Sequence, residues 1–327
     1  MFFTATINKI KPDSILKNFW RDNARFADLF NTALFGGVPF LRPDDLCEAD
    51  TDVSTLLKFN GHAETIQKVF DVVKKTANGV DFVIWGLENQ SKIHYAMPLR
   101  HMIEDAFSYL KEYNEVVSKN RKDNDFSSSD EFLSGFKKSD RLHPVISLCI
   151  YYGEDPWDGP LCLMDMLDVP EILKPLLTNH KMNLIQVRDS ETFNFQHPDV
   201  AAVFDISRSI YKEDYDKIRS YYNNQNPDFS AEIGMVIGAI TESKQLIDYA
   251  LELERDGGEL NMCKALDKLI NEGRQEGLQE GRQEGLLKGS ILTYQKLNVS
   301  KEDTCKNIME DFSLSKEDAA EYVEKYW

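Results

Sequence analysis

The chain has 327 residues, enough for one large or two ordinary domains, and its 42% hydrophobic content can supply a substantial core. It carries 38 Lys and Arg against 55 Asp and Glu, a net charge of −17 that opposes broad non-specific attraction to phosphate backbones. A nucleic acid would therefore have to be bound through a local basic patch or a divalent cation.

The cysteines and the apolar runs indicate the compartment. Five cysteines are scattered without the spacing of a zinc knuckle, which predicts a reducing compartment without a disulfide framework. The N-terminus lacks the features of a secretory signal, and the longest apolar runs, such as residues 145–152, are far shorter than the roughly 20 residues of a membrane span. We expect a cytoplasmic protein with no membrane partner.

Residues 14–35 have apolar side chains at helical spacing, which predicts an N-terminal helix that ends at Gly36 and Gly37. Asp28 and Asn31 lie three positions apart and share a face of this helix. We interpret the pair as a cap or a solvated edge.

A β-hairpin is predicted next. Residues 67–75 and 81–87 are apolar runs separated by Asn78 and Gly79, and Asn-Gly between two such runs is a strong hairpin signal. If these two residues form a type I′ turn, Ala77 pairs with Val80.

The same register predicts a shared face for three polar residues. It places Asp71 opposite Gly86. Gly86, Glu88 and Gln90 follow one another at intervals of two positions and therefore lie on the same face of a strand. Asp71, Glu88 and Gln90 would then line one side of the hairpin. A shift of one residue would move Asp71 to the other face.

Two chemical interpretations fit this polar edge. In the first, Glu88 and Gln90 form a buried hydrogen-bonded pair. In the second, Asp71, Glu88 and the backbone carbonyl of Asn89 supply hard oxygen ligands for Mg²⁺, while Gln90 holds a water molecule or a phosphate oxygen.

The rest of the chain alternates helices and strands. Residues 95–117 fit an amphipathic helix, residues 119–130 a charged loop, and residues 145–152 and 182–187 two buried strands. Residues 161–177 are a short helical stretch, the loop at 153–160 contains Trp157 as a packing anchor, and residues 200–253 have helical spacing. This order indicates an α/β fold with an antiparallel hairpin and later strands added by crossovers.

A change of composition after residue 270 indicates the domain organisation. Residues 271–290 place a glycine at every fourth position, which predicts either a helix packed closely against a partner or a flexible arm. Residues 300–327 predict two short helices with Ser N-caps. We therefore expect a domain at 1–270, a Glu-Gly repeat arm at 271–290 that could form a homo-oligomer, and a small helical tail at 291–327.

Residues 88–110, residues 131–160 and the Glu-Gly repeats carry a family resemblance. They are similar to the Rpn family, the recombination-promoting nucleases long labelled putative transposases, and the resemblance covers about residues 22–327. That family belongs to the PD-(D/E)XK superfamily of phosphodiesterases. The resemblance implies a restriction-endonuclease-like core, with a mixed central sheet flanked by helices, and a helical C-terminal appendage.

The superfamily motif is an acid on one strand, then an acid, any residue and Lys on the next. By resemblance, Asp71 is the first acid, Glu88 the second, and Gln90 stands at the Lys position. Gln is usual there in this family, although it removes a positive charge that would stabilise the transition state. Arg100 falls in the family's MPLR segment, where it would donate to a DNA phosphate or form an ion pair with Glu104.

Two functional hypotheses follow. The first is a Mg²⁺- or Mn²⁺-dependent DNA endonuclease that promotes recombination. The second is a non-catalytic interaction or regulatory protein that keeps the nuclease fold, as the strong acidity and the missing Lys would favour.

Overall fold

The computed structural model describes residues 11–48, 55–59, 62–66, 72–76, 81–85, 92–224, 229–258 and 260–327. The chain divides into two compact units, Met1–Met262 and Cys263–Trp327. Each unit is described by itself below.

A mixed five-stranded sheet organises the first unit. Its strand order is β1-β4-β5-β6-β7, in which β1, β4 and β5 are antiparallel neighbours and β5, β6 and β7 are parallel. Strands β2 and β3 form a separate antiparallel pair. The strands are β1 (Leu46–Glu48), β2 (Thr55–Phe59), β3 (His62–Ile66), β4 (Val72–Thr76), β5 (Asp81–Trp85), β6 (Val145–Tyr151) and β7 (Leu184–Gln186).

Helices make up most of the remainder of this unit, so the fold is a helix-rich α/β arrangement, as predicted. Two 3₁₀ helices, Leu163–Met166 and Glu171–Leu176, lie between β6 and β7. The α-helices are α1 (Pro12–Arg21), α2 (Asn23–Phe35), α3 (Met97–Asp123), α4 (Ser129–Ser134), α5 (Pro198–Tyr211), α6 (Tyr215–Asn224), α7 (Ala231–Ile240) and α8 (Lys244–Asp256).

The predicted N-terminal helix is interrupted once, at Asp22. The backbone of Asp22 is extended, and its side chain accepts a hydrogen bond from the Arg25 amide as the N-cap of α2. The helix ends at Gly36, as predicted, and this glycine has the left-handed conformation of a C-cap with φ +61°.

Asp28 and Asn31 bond to other segments of the chain instead of capping their own helix or forming a solvated edge, and Asn31 is only 9% exposed. Asp28 accepts hydrogen bonds from the backbone amides of Gln196 at 2.9 Å and His197 at 3.1 Å, at the start of α5. The Asn31 side chain exchanges two hydrogen bonds with the backbone of Leu41. Helix α2 therefore fixes two loops that carry no regular structure.

Tight packing joins α1 to the sheet. Phe19 and Trp20 of α1 are buried, and the indole Nε1 of Trp20 donates to the Tyr152 hydroxyl at 3.0 Å. The Arg25 guanidinium donates to Asp199 at 2.7 Å and to Glu232 at 2.8 Å, so one cation links α2, α5 and α7. These contacts make the N-terminal helices part of the core.

The prediction of a loop at residues 119–130 is wrong for its first five positions. Helix α3 continues to Asp123 because its last turn has tertiary partners. The buried side chain of Asn120 donates to the Gly135 carbonyl at 3.1 Å and to Asp140 at 2.7 Å. A short helix, α4, also begins at Ser129 with Ser128 as its N-cap.

The second unit is a helical assembly. Helix α9 (Met262–Lys296) contains the whole Glu-Gly repeat, so the repeat is helical, while its predicted close packing against a partner stays a prediction. Helices α10 (Lys301–Phe312) and α11 (Lys316–Tyr326) begin after the predicted Ser caps, Ser300 and Ser315. The three helices share a core formed by Leu287, Ile291, Ile308, Ala319 and Val323.

Candidate functional site

The hairpin that should carry the candidate site has a different register from the predicted one. Val72 pairs with Ile84 and Lys75 with Asp81, so the pairing is symmetric about position 78 rather than about the bond between residues 78 and 79. A two-residue type I′ turn does not produce this register. The prediction that Ala77 pairs with Val80 is therefore wrong by one residue.

This correction removes one argument for the site. The shared face of Asp71 and Glu88 was inferred from the predicted register, and a one-residue shift changes which positions share a face. Asp71, Glu88, Asn89 and Gln90 all lie outside the described residues. Their assignment to a catalytic or metal site stays a prediction.

The topology nevertheless defines one edge of the sheet clearly. Strands β5, β6 and β7 are parallel and end at the same edge, and β4, which is antiparallel to β5, begins there. Ligands of open α/β sheets bind outside the carboxyl ends of parallel strands. This edge is the natural place for a site.

Trp157 fixes the loop that follows β6 at this edge. Its backbone amide donates to the Gln186 side chain at 2.8 Å, and its indole donates to the Gly159 carbonyl at 2.9 Å. The ring packs edge-on against Tyr151 with centroids 5.2 Å apart. The prediction of a packing anchor is confirmed.

Arg100, the predicted DNA contact, lies in the first turn of α3. Its Nε is 3.6 Å from Oε1 of Glu104, whose side chain is 2% exposed, while the Arg100 side chain is 35% exposed. The structural ion pair considered from the sequence is therefore formed. The Arg100 side chain remains partly exposed, and its donation to a DNA phosphate stays a prediction.

Lys74 of β4 is a second cation that the sequence did not single out. Its side chain is 1% exposed, and Nζ donates to the Arg21 carbonyl at 2.7 Å and lies 3.4 Å from Glu48. Arg21 ends α1, so the ammonium satisfies one of the free carbonyls at the end of that helix. Lys74 thus joins α1 to the sheet.

A buried polar cluster lies between α3 and β6, and sequence reasoning missed it. Ser147 Oγ donates to Asp105 at 3.4 Å and is 3.3 Å from Nδ1 of His101, while His180 Nε2 is 3.3 Å from Asp105. With the hydroxyl proton directed to Asp105, Ser147 accepts from the imidazole of His101. The available signal was the i,i+4 spacing of His101 and Asp105 on one helix.

Burial determines the charge state of this cluster. It raises the pKa of Asp105 to about 7, a change that the nearby charge of Glu104 increases and the hydrogen bond from Ser147 opposes. Burial also lowers the pKa of His101 to about 3, with further lowering by His180 and Arg100. It lowers the pKa of His180 too, so both imidazoles are neutral near pH 7.

Within the described ranges, no three His, Cys, Asp or Glu side chains are arranged to hold a metal ion. Over the same ranges, no helix is both long and apolar enough to cross a membrane.

Comparison with known proteins gives one match. The model of the family described as "Putative transposase, YhgA-like" matches residues 74–226, from the middle of β4 to just beyond α6. No curated protein and no solved structure matches the chain. Residues 74–226 are thus similar to the YhgA-like putative transposases, which confirms the predicted family resemblance over this part of the chain.

Proposed function

We propose that this protein is a metal-dependent DNA endonuclease of the Rpn type, which hydrolyses phosphodiester bonds with Mg²⁺ or Mn²⁺ and promotes recombination. The match of residues 74–226 to a transposase family carries the proposal, because proteins that rearrange DNA must break its backbone. The mixed sheet flanked by helices is compatible with the PD-(D/E)XK core that the resemblance implies.

The chemistry of the donor set fits a hard cation. Asp71 and Glu88 would bind the metal with their carboxylates, and Asn89 would bind it with its backbone carbonyl. The metal would supply charge neutralisation at the phosphate and a more acidic water molecule. Gln90 would orient that water or a phosphate oxygen, and Arg100 would hold a neighbouring phosphate.

Chain connectivity supports bringing these residues together. Val72 begins β4 and pairs with Ile84, next to the end of β5 at Trp85. Asp71 is the residue directly before Val72. Glu88 is three residues beyond Trp85, so the Cα atoms of Glu88 and Trp85 can be at most about 11 Å apart. Both acids are therefore tethered to one edge of the sheet, whichever face each occupies.

A plasmid-nicking assay tests the proposal. With Mg²⁺ or Mn²⁺ the wild-type protein should nick supercoiled DNA, and Asp71→Asn and Glu88→Gln should each lower the rate by about 100-fold or more, in line with the loss of a group that acts in the transition state. Asp44→Asn, an exposed carboxylate outside the predicted site, is the matched control. Equal cutting by wild type and both site variants would show contamination and overturn the proposal.

The missing Lys provides a second variant. Gln90→Lys introduces a positive charge where negative charge develops on the phosphate, so it should keep or increase the nicking rate. Gln90→Ala should decrease it. If both substitutions leave the rate unchanged, residue 90 does not act in the reaction.

The alternative is a non-catalytic interaction protein with the same fold. The net charge of −17 favours it, because the protein as a whole repels DNA. Wild-type protein that binds DNA or a partner but does not nick DNA with either metal would support this alternative.

The repeat helix is the proposed assembly element. Apart from the adjacent residues and the backbone of its own helix, a Cβ atom at any of its five glycines would meet no atom within 4 Å in the described part of the chain, so the stripe is open. Replacing Gly277 and Gly281 by Val should lower the molecular mass measured by light scattering if two copies associate along the stripe. An unchanged mass would exclude this role.

A further inference from the structure

We propose that the excursion between β6 and β7, residues 161–182, is a self-association surface that binds the same excursion of a second copy of this chain. The observation behind this proposal is a set of large apolar side chains that the fold holds in solvent. Ile172 is 82% exposed and Leu176 79%, and Leu161, Leu167, Leu173 and Leu177 are between 41% and 50% exposed. We call these six side chains the leucine patch.

The base of the excursion is ordered by hydrogen bonds and by Met182, which is buried against Met97 and Cys149. The Leu163 amide donates to the His180 carbonyl at 2.8 Å, and the Met182 amide donates to the Leu161 carbonyl at 2.9 Å. The Asp165 carboxylate accepts from the amide of Leu161 at 3.0 Å. Beyond this base, every residue from 170 to 179 is exposed. The fold therefore presents the patch in a defined conformation.

The 3₁₀ helix Glu171–Leu176 shows why the patch needs a partner. Side chains three positions apart eclipse each other in a 3₁₀ helix, so Ile172 aligns with Pro175 and Leu173 with Leu176. Two of its three faces are therefore apolar, and both contact solvent. A helical turn with this composition is typical of a buried position.

The local charges argue against an anionic partner. Residues 161–182 contain three carboxylates, of Asp165, Asp168 and Glu171, and two ammonium groups, of Lys174 and Lys181. No basic cluster is available for nucleic acid or anionic lipid. At physiological salt only charges within about 8 Å act strongly, so the nearly balanced excursion can approach a copy of itself despite the net charge of the whole protein.

Charge complementarity favours a second copy of the same excursion. Glu171 and Lys174 form an ion pair on the single polar face of the 3₁₀ helix. In a two-fold symmetric dimer every contact between two different residues occurs twice. If residue i of one copy contacts residue j of the other, residue j of the first copy contacts residue i of the second. Glu171 of each copy can therefore exchange its partner for Lys174 of the other while the apolar faces become buried.

The area of the patch determines the strength expected. The exposed parts of the six side chains amount to roughly 500 Å², the size of the largest apolar patch on an ordinary monomer. Two copies would bury about 1,000 Å² together, below the area of stable specific complexes and within the range of weak, transient ones. We therefore expect a dimer that dissociates at micromolar concentrations.

Sedimentation equilibrium of the full chain tests the proposal. Concentrations of about 1 to 100 µM bracket the dissociation constant expected for a weak dimer. The weight-average mass of the wild type should rise with concentration from that of one chain toward that of two. The double variant Ile172→Glu and Leu176→Glu should have a lower weight-average mass than the wild type at every concentration at which the wild type associates. Leu133→Glu, at an equally exposed leucine on α4, is the control and should dimerise like the wild type.

A charge exchange provides a second readout that does not depend on apolar substitutions. Lys174→Glu should raise the dissociation constant about 10-fold, and combining it with Glu171→Lys should restore the wild-type value. A wild type that is monomeric at every concentration overturns the proposal. So does a dimer that the patch substitutions leave unchanged, which would assign association to the repeat helix instead.

Discussion

Replacing Asp105 by Asn tests whether the buried cluster between α3 and β6 titrates as its surroundings indicate. An aspartate in an unfolded chain has a pKa near 3.9, whereas burial raises the pKa of Asp105 to about 7 in the folded protein. Between these pH values the folded state holds a proton that the unfolded state has released. The free energy of unfolding must therefore decrease as the pH rises from about 4 to 7, and stay level with respect to this group above 7.

The size of the effect follows from the same two pKa values. Each pH unit in this interval contributes about 1.4 kcal/mol, so the loss between pH 5 and pH 8 is about 2–3 kcal/mol. Asn keeps the shape of the side chain and can still accept from Ser147, but it carries no charge at any pH. The stability of Asp105→Asn relative to wild type should therefore improve by about 2–3 kcal/mol from pH 5 to pH 8.

Urea unfolding at both pH values measures this difference directly. Asp123→Asn, an exposed aspartate at the end of the same helix, is the matched control and should show no such relative change. If wild type and Asp105→Asn lose or gain stability in parallel between pH 5 and pH 8, the carboxyl is ionised in the folded protein throughout.

Two further substitutions probe the packing of each unit. Arg25→Leu leaves the carboxylates of Asp199 and Glu232 without their shared cation. Because the Arg25 side chain is only 13% exposed, urea unfolding should show that the free energy of unfolding falls by about 2–4 kcal/mol. An unchanged midpoint would mean that both carboxylates are already satisfied by solvent. Ile291→Ala creates a cavity in the core of the second unit and should lower its free energy of unfolding by about 2–5 kcal/mol. Hydrogen exchange should show this as weaker protection of the backbone amides of α10 and α11. The exposed Leu297→Ala is its control, and equal protection in both variants would contradict the assignment of Ile291 to that core.

Local signals predicted the helices and the buried strands well because apolar periodicity and caps are properties of neighbouring residues. The Ser caps of α10 and α11 and the glycine at the end of α2 are examples. The break at Asp22 was missed because apolar spacing continues across it. A side chain that caps the next helix changes the direction of the chain without changing its pattern.

Features set by distant partners could not be predicted in the same way. Asn-Gly favours a two-residue turn, but β4 also pairs with β1 and β5 with β6, so the register of the hairpin is determined by four strands. Helix α3 extends to Asp123 because Asn120 finds partners 15 and 20 residues away. The Asp105 cluster requires β6 to pass beneath α3. The candidate metal ligands rest on family resemblance and chain connectivity.

The hydrogen bonds of Asp28 bear on how much of the chain is needed for an independently folding unit. The amides at the start of α5 lie inside the stretch that matches the transposase family, yet the carboxylate that accepts from them lies 168 and 169 residues earlier, outside it. Trp20, which also lies outside that stretch, donates a hydrogen bond from its indole to the hydroxyl of Tyr152, which lies inside it. A fragment limited to residues 74–226 would expose these groups together with one edge of its sheet. The sequence similarity therefore ends inside the folding unit, and a fragment for structural work should begin before α1.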